Sequence, residues 1–298
     1  MNSRVVILGS SGQLGSELVK VLSPEMELFA FSRSELDLTD EDALRAALAS
    51  IQPHFIVNAA AYTAVDRAES EQVLAHAVNA RAPQVLAELA MRMDAWLLHF
   101  STDYVFDGSG QTPWMETDTP HPLNVYGRTK LQGEQAIEAS GCCHLIFRSG
   151  WIYAAHGNNF LRTMLRLAGE QPSLNIVDDQ TGAPTTAGEL ARGVLAVLRR
   201  LEQGTGAHRP PESGVYHMAC GGSTTWFRFA SAIFAGLAGH VATPQLVAIS
   251  TEQYPTPADR PRYSVLNCDK LERVFAVRLL PWEDALAQVI AEIRASGV

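Results

Sequence analysis

The chain has 298 residues, 47% of them hydrophobic, enough to bury a sizeable core in one large domain or two unequal ones. Its 23 basic and 32 acidic residues leave a formal charge of −9 with no basic cluster, which argues against nucleic acid as a partner. No apolar run approaches the ~20 residues of a membrane-spanning helix, so no membrane partner is expected.

From Met1 the chain runs directly into Arg4-Val5-Val6-Ile7-Leu8-Gly9, without the apolar core and cleavage site of a signal peptide. That segment is continuously apolar and β-branched, which predicts a buried parallel strand. Glycines stand at the first, fourth and seventh places of Gly9-Ser10-Ser11-Gly12-Gln13-Leu14-Gly15. They permit a tight turn, a close approach of backbone to a pyrophosphate, and close packing of the helix predicted over Ser16 to Leu22. The helix start would face the phosphates, so Gly9, Ser11, Gly12, Gln13, Leu14 and Gly15 are candidate dinucleotide-binding residues. A second predicted strand, Glu27 to Ser32, ends where such folds read the adenosine ribose, and the usual acid is missing from Ser32-Arg33-Ser34. Arg33 in its place suits a 2′-phosphate and hence NADPH; an ordinary surface arginine is an equal reading, with Glu35 and Asp37 close behind, and NADH stays open. Thr39 is the expected cap of a helix over Asp40 to Ser50.

Phe55 to Asn58 is the third predicted strand, and the small residues Ala59, Ala60 and Ala61 at its carboxyl end leave room for a ligand. A long helix containing Asn79 is predicted over Gln72 to Met93. Trp96 to Phe100 is a fourth strand, opening without a break into Ser101-Thr102-Asp103-Tyr104, the position of an active-site rim. Pro120 and Pro122 close the next loop, and good helix formers run from Thr129 to Ser140 before Gly141. If Tyr126 and Lys130 are also helical they share one face, because positions i and i+4 are neighbours. An ammonium beside a phenol stabilises the phenolate, which makes a proton donor for a carbonyl being reduced. In isolation such a pair is far more often a plain amphipathic helix, so it gains meaning only from its surroundings.

Beyond the strand predicted over His144 to Arg148 the alternation loses regularity. Helices are predicted over Phe160 to Ala168, Thr186 to Leu201 and Thr225 to Leu237, with strands over Leu174 to Val177 and Val215 to Met218. A loop rich in Gly and Pro covers Gln203 to Ser213, and a terminal helix starts near Pro281 and reaches about Ser296. Cys142, Cys143, Cys220 and Cys268 include no Cys-x-x-Cys pair, which fits a reducing cytoplasm and neither a zinc site nor a disulfide framework. The expected architecture is α/β: a Rossmann-type doubly wound parallel sheet with a smaller mixed α/β substrate lobe. Residues 1–152 with part of 173–203 would form the NAD(P)-binding domain, and 153–172 with 204–298 mainly the partly interleaved lobe.

The Gly9 to Gly15 loop, Ser101-Thr102 at a strand end, and Tyr126 with Lys130 together resemble the extended short-chain dehydrogenase/reductase superfamily acting on nucleotide sugars. Within it the chain resembles the dTDP-4-dehydrorhamnose reductase family. The resemblance rests on Asn58-Ala59-Ala60-Ala61-Tyr62-Thr63-Ala64-Val65-Asp66, on Ser101 to Gly108, and on Pro122-Leu123-Asn124-Val125-Tyr126-Gly127. It continues through Arg148-Ser149-Gly150-Trp151-Ile152-Tyr153, Gly157-Asn158-Asn159-Phe160, Asp179 to Thr185 and Arg260-Pro261-Arg262-Tyr263-Ser264, nearly the whole chain.

This resemblance implies reduction of the C4 ketone of dTDP-4-dehydro-β-L-rhamnose by NADPH. That is the last step in making dTDP-β-L-rhamnose for cell-surface polysaccharide such as O-antigen. It implies that Tyr126 protonates the alkoxide, Lys130 holds the nicotinamide ribose and favours the phenolate, and Thr102 hydrogen-bonds the ketone oxygen. Asp37 and Leu38 would join the cofactor site, and Thr63, Val65, Asp103, Tyr104 and Trp151 would line the sugar site with Thr102. Some members of the family are dimers bridged by Mg²⁺ through glutamates. Glu17 and Glu292 match two of those positions, but Gly188 takes the third, beside Glu189, leaving the metal and the choice of monomer or homodimer open. Ser149-Gly150-Trp151 also departs from the family pattern, and a looser turn is expected there.

Three rivals share the fold. A 4,6-dehydratase needs an Asp-Glu pair after the threonine, and here Asp103 is followed by Tyr104. A 4-epimerase keeps NAD tightly bound, whereas Arg33 favours an exchangeable NADPH. A non-catalytic, reductase-like regulatory subunit has no need of Thr102, Tyr126 and Lys130 together.

Overall fold

In the computed structural model, which describes residues 3–203 and 213–296, the apolar segments near the start of the chain become parallel strands and the amphipathic segments between them become covering helices. The first half contains β1 (Arg4–Leu8), α1 (Gln13–Leu22), β2 (Glu27–Phe31), α2 (Glu41–Ile51), β3 (Phe55–Asn58), α3 (Val65–Ala68), α4 (Gln72–His76), α5 (Ala82–Met93), β4 (Trp96–Thr102), α6 (Val125–Ser140) and β5 (His144–Ser149). After it come β6 (Ile152–Tyr153), α7 (Phe160–Glu170), β7 (Ser173–Val177), β8 (Thr181–Gly182), β9 (Thr185–Thr186) and α8 (Ala187–Gln203). The chain ends with β10 (Gly214–His217), β11 (Thr224–Thr225), α9 (Trp226–Gly236), β12 (Gln245–Ile249), α10 (Asp269–Phe275) and α11 (Trp282–Ala295).

Six strands form one wholly parallel sheet in the order β10-β5-β4-β3-β1-β2. β1 pairs with β2 on one side and β3 on the other, so the winding reverses there, and open sheets of this kind bind ligands at the strand carboxyl ends beside that reversal. Successive side chains of a strand point to opposite faces. Val5, Ile7, Phe55, Val57, Leu98 and Phe147 therefore pack with α1, α8 and α11, while Val6, Leu8, Ile56, Leu97 and Ile146 pack with α2 and α5. Burial on both faces is the reason these strands read as unbroken apolar runs. The first core also takes in Phe229 and Ile233 of α9 and Leu271 and Phe275 of α10, so the late elements pack directly onto the sheet. β10 lies in the span expected mainly for the lobe, yet it is an edge strand of the main sheet. Outside that sheet β7 pairs with β12, β6 with β9 and β8 with β11.

Boundaries differ from the sequence pattern for local reasons. α2 is capped by Asp40, whose Oδ1 accepts the Ala43 N–H at 3.0 Å, rather than by Thr39, whose N–H and hydroxyl both go to Asp37. α6 begins at Val125, so Tyr126 and Lys130 are both helical, and Asn124 caps it, its Oδ1 accepting the Gly127 N–H at 2.8 Å. The long helix around Asn79 is interrupted by a π-helical segment, Ala77–Arg81, between α4 and α5. The loop expected over Gln203 to Ser213 lies, between those two residues, outside the described residues. The short α3, α10 and β12 had no clear signal in the pattern, and β12 owes its shape to pairing with β7.

The π-helical segment sets up a test of packing. A Cβ on Gly133 of α6 would stand 2.2 Å from the Asn79 carbonyl oxygen. In an exposed helix a glycine-to-alanine change stabilises by about 1 kcal/mol. Here the backbones must part, so Gly133→Ala is expected to destabilise by about 1–3 kcal/mol, read as a lower urea midpoint.

Candidate active site

A cavity of about 640 Å³ opens at the carboxyl ends of the strands around the reversal. Gly9, Ser11, Gly12, Gln13 and Leu14 after β1, Arg33, Asp37 and Leu38 after β2, and Ala59, Ala60 and Ala61 after β3 all line it. Gly9 holds φ at +82°, which a side chain rarely tolerates. Gly15 is outside the lining: a Cβ there would fall 2.0 Å from the Gly9 carbonyl oxygen, so this glycine allows α1 to pack closely on the turn. Gly12 caps α1 without a side-chain hydrogen bond, leaving amide donors and the positive end of the helix facing the cavity. These features suit an anionic dinucleotide. Arg33 is largely exposed and pairs with Asp37 at 3.3 Å, so its guanidinium stands at the cavity edge with one carboxylate already beside it.

The other end of the cavity is built by β4 and α6. β4 stops at Thr102 and turns through a single 3-10 turn, Asp103–Val105, which brings Thr102, Asp103 and Tyr104 into the lining. Thr102 Oγ1 accepts the Tyr104 N–H at 3.1 Å and donates to Asp103 Oδ1 at 3.0 Å. With α6 starting early, Tyr126 and Lys130 both lie on its cavity face. The Tyr104 and Tyr126 rings meet edge to face, centroids 5.8 Å apart. Thr63 and Val65 line the cavity from the loop after β3 and the start of α3.

Burial dominates the electrostatics. It pushes the Tyr126 phenol up to about 12, with the Thr102 hydroxyl pulling the other way and Asp103 adding to the rise. It pulls Lys130 down to about 8 against the attraction of Glu134, and it raises Asp103 to about 6 despite hydrogen bonds from Thr102 and the backbone. All three are biased toward their uncharged forms. Lys130 Nζ donates to the Phe100 carbonyl at 2.6 Å and lies 3.0 Å from His99 Nε2.

Several residues here carried no signal in the sequence. Asn79, in the π-helical segment, accepts the Tyr62 N–H at 2.8 Å and donates to the Tyr62 carbonyl and Thr129 Oγ1, tying the loop after β3 to α6. Trp226 lines the cavity and stacks on Trp151, with centroids 3.4 Å apart and planes within 3°. Only an aromatic at a helix start could have hinted at it. Trp151 itself holds φ at +51°, and a Cβ on the preceding Gly150 would lie 2.5 Å from the Asp103 carboxyl carbon. The expected loosening of that turn is therefore replaced by a tight seat in which only glycine leaves room for buried Asp103.

Within this chain the Mg²⁺ candidates each have other surroundings. Glu17 is paired with Lys20 at 3.5 Å, and Glu292 lies exposed on α11. A Cβ on Gly188 would stand 3.8 Å from Glu17 Oε2 but 3.6 Å from Arg192 Nη1, so a guanidinium already supplies the positive charge there. Among the described residues no group of three or more His, Cys, Asp or Glu is placed to hold a metal ion.

Comparison with known proteins agrees with this geometry. The family model described as the RmlD substrate binding domain matches residues 3–295. The dTDP-4-dehydrorhamnose reductase of Shigella flexneri is 43% identical over 296 residues, covering 97% of each chain, and that of Escherichia coli K12 is 42% identical over 296 residues with the same coverage. The crystal structure of dTDP-4-dehydrorhamnose reductase from Bacillus anthracis in complex with NADP superposes with a TM-score of 0.89 at 34% identity, covering 98% of this chain and 100% of that one.

Asp103 provides a pH test of the site. Its folded value of about 6 lies above its ordinary 3.8, so the native state holds the proton more tightly than the unfolded chain does. The associated stability is present at low pH and is lost as pH rises through the folded value. Asp103→Asn mimics the protonated acid, so it is expected to be more stable than the native chain by on the order of 2 kcal/mol above about pH 7 and to match it below about pH 4, in urea titrations at the two pH values.

Proposed function

We propose, from the fact that this chain belongs to the RmlD substrate binding domain family, that it is an oxidoreductase that uses NADPH to reduce the C4 ketone of dTDP-4-dehydro-β-L-rhamnose to dTDP-β-L-rhamnose. The observation that carries the reading is the meeting, in one cavity, of a glycine turn with an uncapped helix start and of Thr102, Tyr126 and Lys130 from β4 and α6. When bound, the reduced nicotinamide supplies the hydride. The protein's residues manage the oxygen that becomes negative as the ketone is reduced. Tyr126, kept protonated by burial, donates its proton to that oxygen. The Thr102 hydroxyl exchanges its bond to Asp103 for one to the same oxygen, so a second donor is aimed where charge develops. A charged Lys130 on the same helix face lowers the cost of the phenolate that remains.

In this reading the ends of β1, β2 and β3 hold the dinucleotide, with Arg33 at its 2′-phosphate. Asp103, Tyr104, Thr63, Val65 and Trp151 hold the sugar, and the stacked Trp151 and Trp226 keep water from one side. The elements after β5 supply most of the substrate lobe. The product serves cell-surface polysaccharide synthesis and is made in the cytoplasm; among the described residues no helix is long and apolar enough to cross a membrane.

Purified protein given dTDP-4-dehydrorhamnose, made in situ by an epimerase, should consume NADPH and yield dTDP-rhamnose; cofactor binding without oxidation would reject this substrate. Tyr126→Phe removes a donor used only in the transition state, so kcat should fall about 10²–10⁴-fold while the NADPH dissociation constant stays nearly unchanged. Arg33→Ala should raise KM for NADPH about tenfold and leave KM for NADH nearly unaltered, the loss of one charge-assisted hydrogen bond; equal effects would remove Arg33 from the 2′-phosphate.

A further inference from the structure

Behind Lys130 lies a buried polar chain that the reaction as described does not use. It consists of Asn58 at the end of β3, His99 in β4 and the lysine nitrogen itself, each no more than 1% exposed. Counting donors assigns its protons. The backbone N–H of Ala60 can only donate and meets the Asn58 side chain at 3.2 Å, so the atom it meets is Oδ1. Asn58 Nδ2, also a donor only, then faces His99 Nδ1 at 3.0 Å. Nδ1 must accept, and a neutral imidazole then carries its proton on Nε2. That N–H points at Lys130 Nζ, 3.0 Å away, which can accept it only with a free lone pair. The lysine is then a neutral amine that still donates to the Phe100 carbonyl. Burial favours the same state, holding His99 well below the ordinary imidazole value and Lys130 at about 8.

The ammonium form demands the opposite polarity. Nε2 must accept, the ring proton moves to Nδ1, the Asn58 amide turns its oxygen to the ring, and the Ala60 N–H is released. The two charge states of the lysine thus correspond to two discrete arrangements of one amide and one ring.

We propose that Asn58 and His99 are positioning residues that, in mildly alkaline solution, hold Lys130 as a neutral amine until the dinucleotide enters, and that its binding loads a proton from solvent onto the lysine by turning the Asn58 amide over. The inference rests on the cofactor site proposed above. Lys130 and Ala60 both line the cavity, so the two ends of the chain are open to what binds there. A dinucleotide brings anionic oxygens, which favour an ammonium and give a released N–H an acceptor. Among the other groups around Lys130, Glu134 on its own helix favours the charge but is engaged by Arg148 of β5, and Tyr126 and Asp103 share the cavity. Only a proton moves, and the buffer supplies it.

Titration calorimetry of the full chain with NADPH, in two buffers of different ionisation enthalpy, counts the protons taken up. At pH about 8, near the Lys130 value, the cofactor's 2′-phosphate, with a second pKa of about 6, is already ionised and adds nothing to the count. The native protein should take up approaching half a proton per NADPH there, and almost none near pH 6, where the lysine is charged beforehand. Asn58→Asp offers a carboxylate that accepts from both the Ala60 N–H and a His99 Nδ1–H, so uptake at pH about 8 should fall to near zero while NADPH still binds. Independently of any variant, side-chain ¹⁵N spectra of the native protein taken above pH about 8 should show His99 protonated at Nε2 without NADPH and at Nδ1 with it. At that pH, NADPH binding without proton uptake, or an Nδ1–H ring before NADPH is added, overturns the inference. Failure to bind NADPH at all would instead overturn the proposed function.

Discussion

The active-site helix is held to the sheet by one buried carboxylate. Glu134 of α6 receives Arg148 of β5, with Nη2 at 2.6 Å from Oε2, and the Ser101 hydroxyl of β4, while both charged side chains stay under 5% exposed. Taking two charges out of water is expensive, and such a pair adds little net stability against an apolar replacement; its value lies in geometry, because removing either partner strands the other. Arg148 also lies over the Phe106 ring at 5.2 Å, so the guanidinium is fixed from a second side. Tyr126, Lys130 and Glu134 are spaced by four along α6, and an anchor at the last of them aims the other two at the end of β4.

From that anchor follows the character of the cavity. The helix packs close to β4 and to the π-helical turn, and burial pushes the ionisable groups of the site toward neutrality. Groups shifted toward their uncharged forms suit a reaction in which charge appears briefly on a substrate oxygen, because fixed donors act strongly where solvent does not compete. That shift also makes the protonation of Lys130 responsive to what enters, since small rearrangements of Asn58 and His99 decide which charge state the buried chain can accommodate.

Much of this was legible in the residues themselves. The unbroken apolar strands, the glycine turn and the small residues after β3 specify a parallel sheet with a ligand crevice, because burial on both faces and backbone approach to an anion leave few alternatives in residue type. Tyr126 and Lys130 were readable as a pair because helical spacing puts them on a shared face, and Thr102 stood at a strand end as part of an expected rim; the resemblance to a known family joined the three. Gly15 fits the close packing that its place in the pattern implies, since a Cβ there would meet the Gly9 carbonyl. The cap of α2 was misplaced because competing cap residues lie side by side, and only hydrogen-bond geometry chooses Asp40 over Thr39.

What the sequence determined by itself was the periodic part: which segments pair as strands, which helix face is apolar, and which polar residues stand at strand ends. Those follow from local backbone geometry and burial. Tertiary structure alone decided the partners of the buried polar groups. Glu134 with Arg148, Asn58 with His99 and Lys130, Asn79 with Tyr62, and Trp226 with Trp151 are separated by 14 to 75 residues, and no periodicity encodes such contacts. Each exists because the packed sheet leaves a buried donor, acceptor or ring with one place to go.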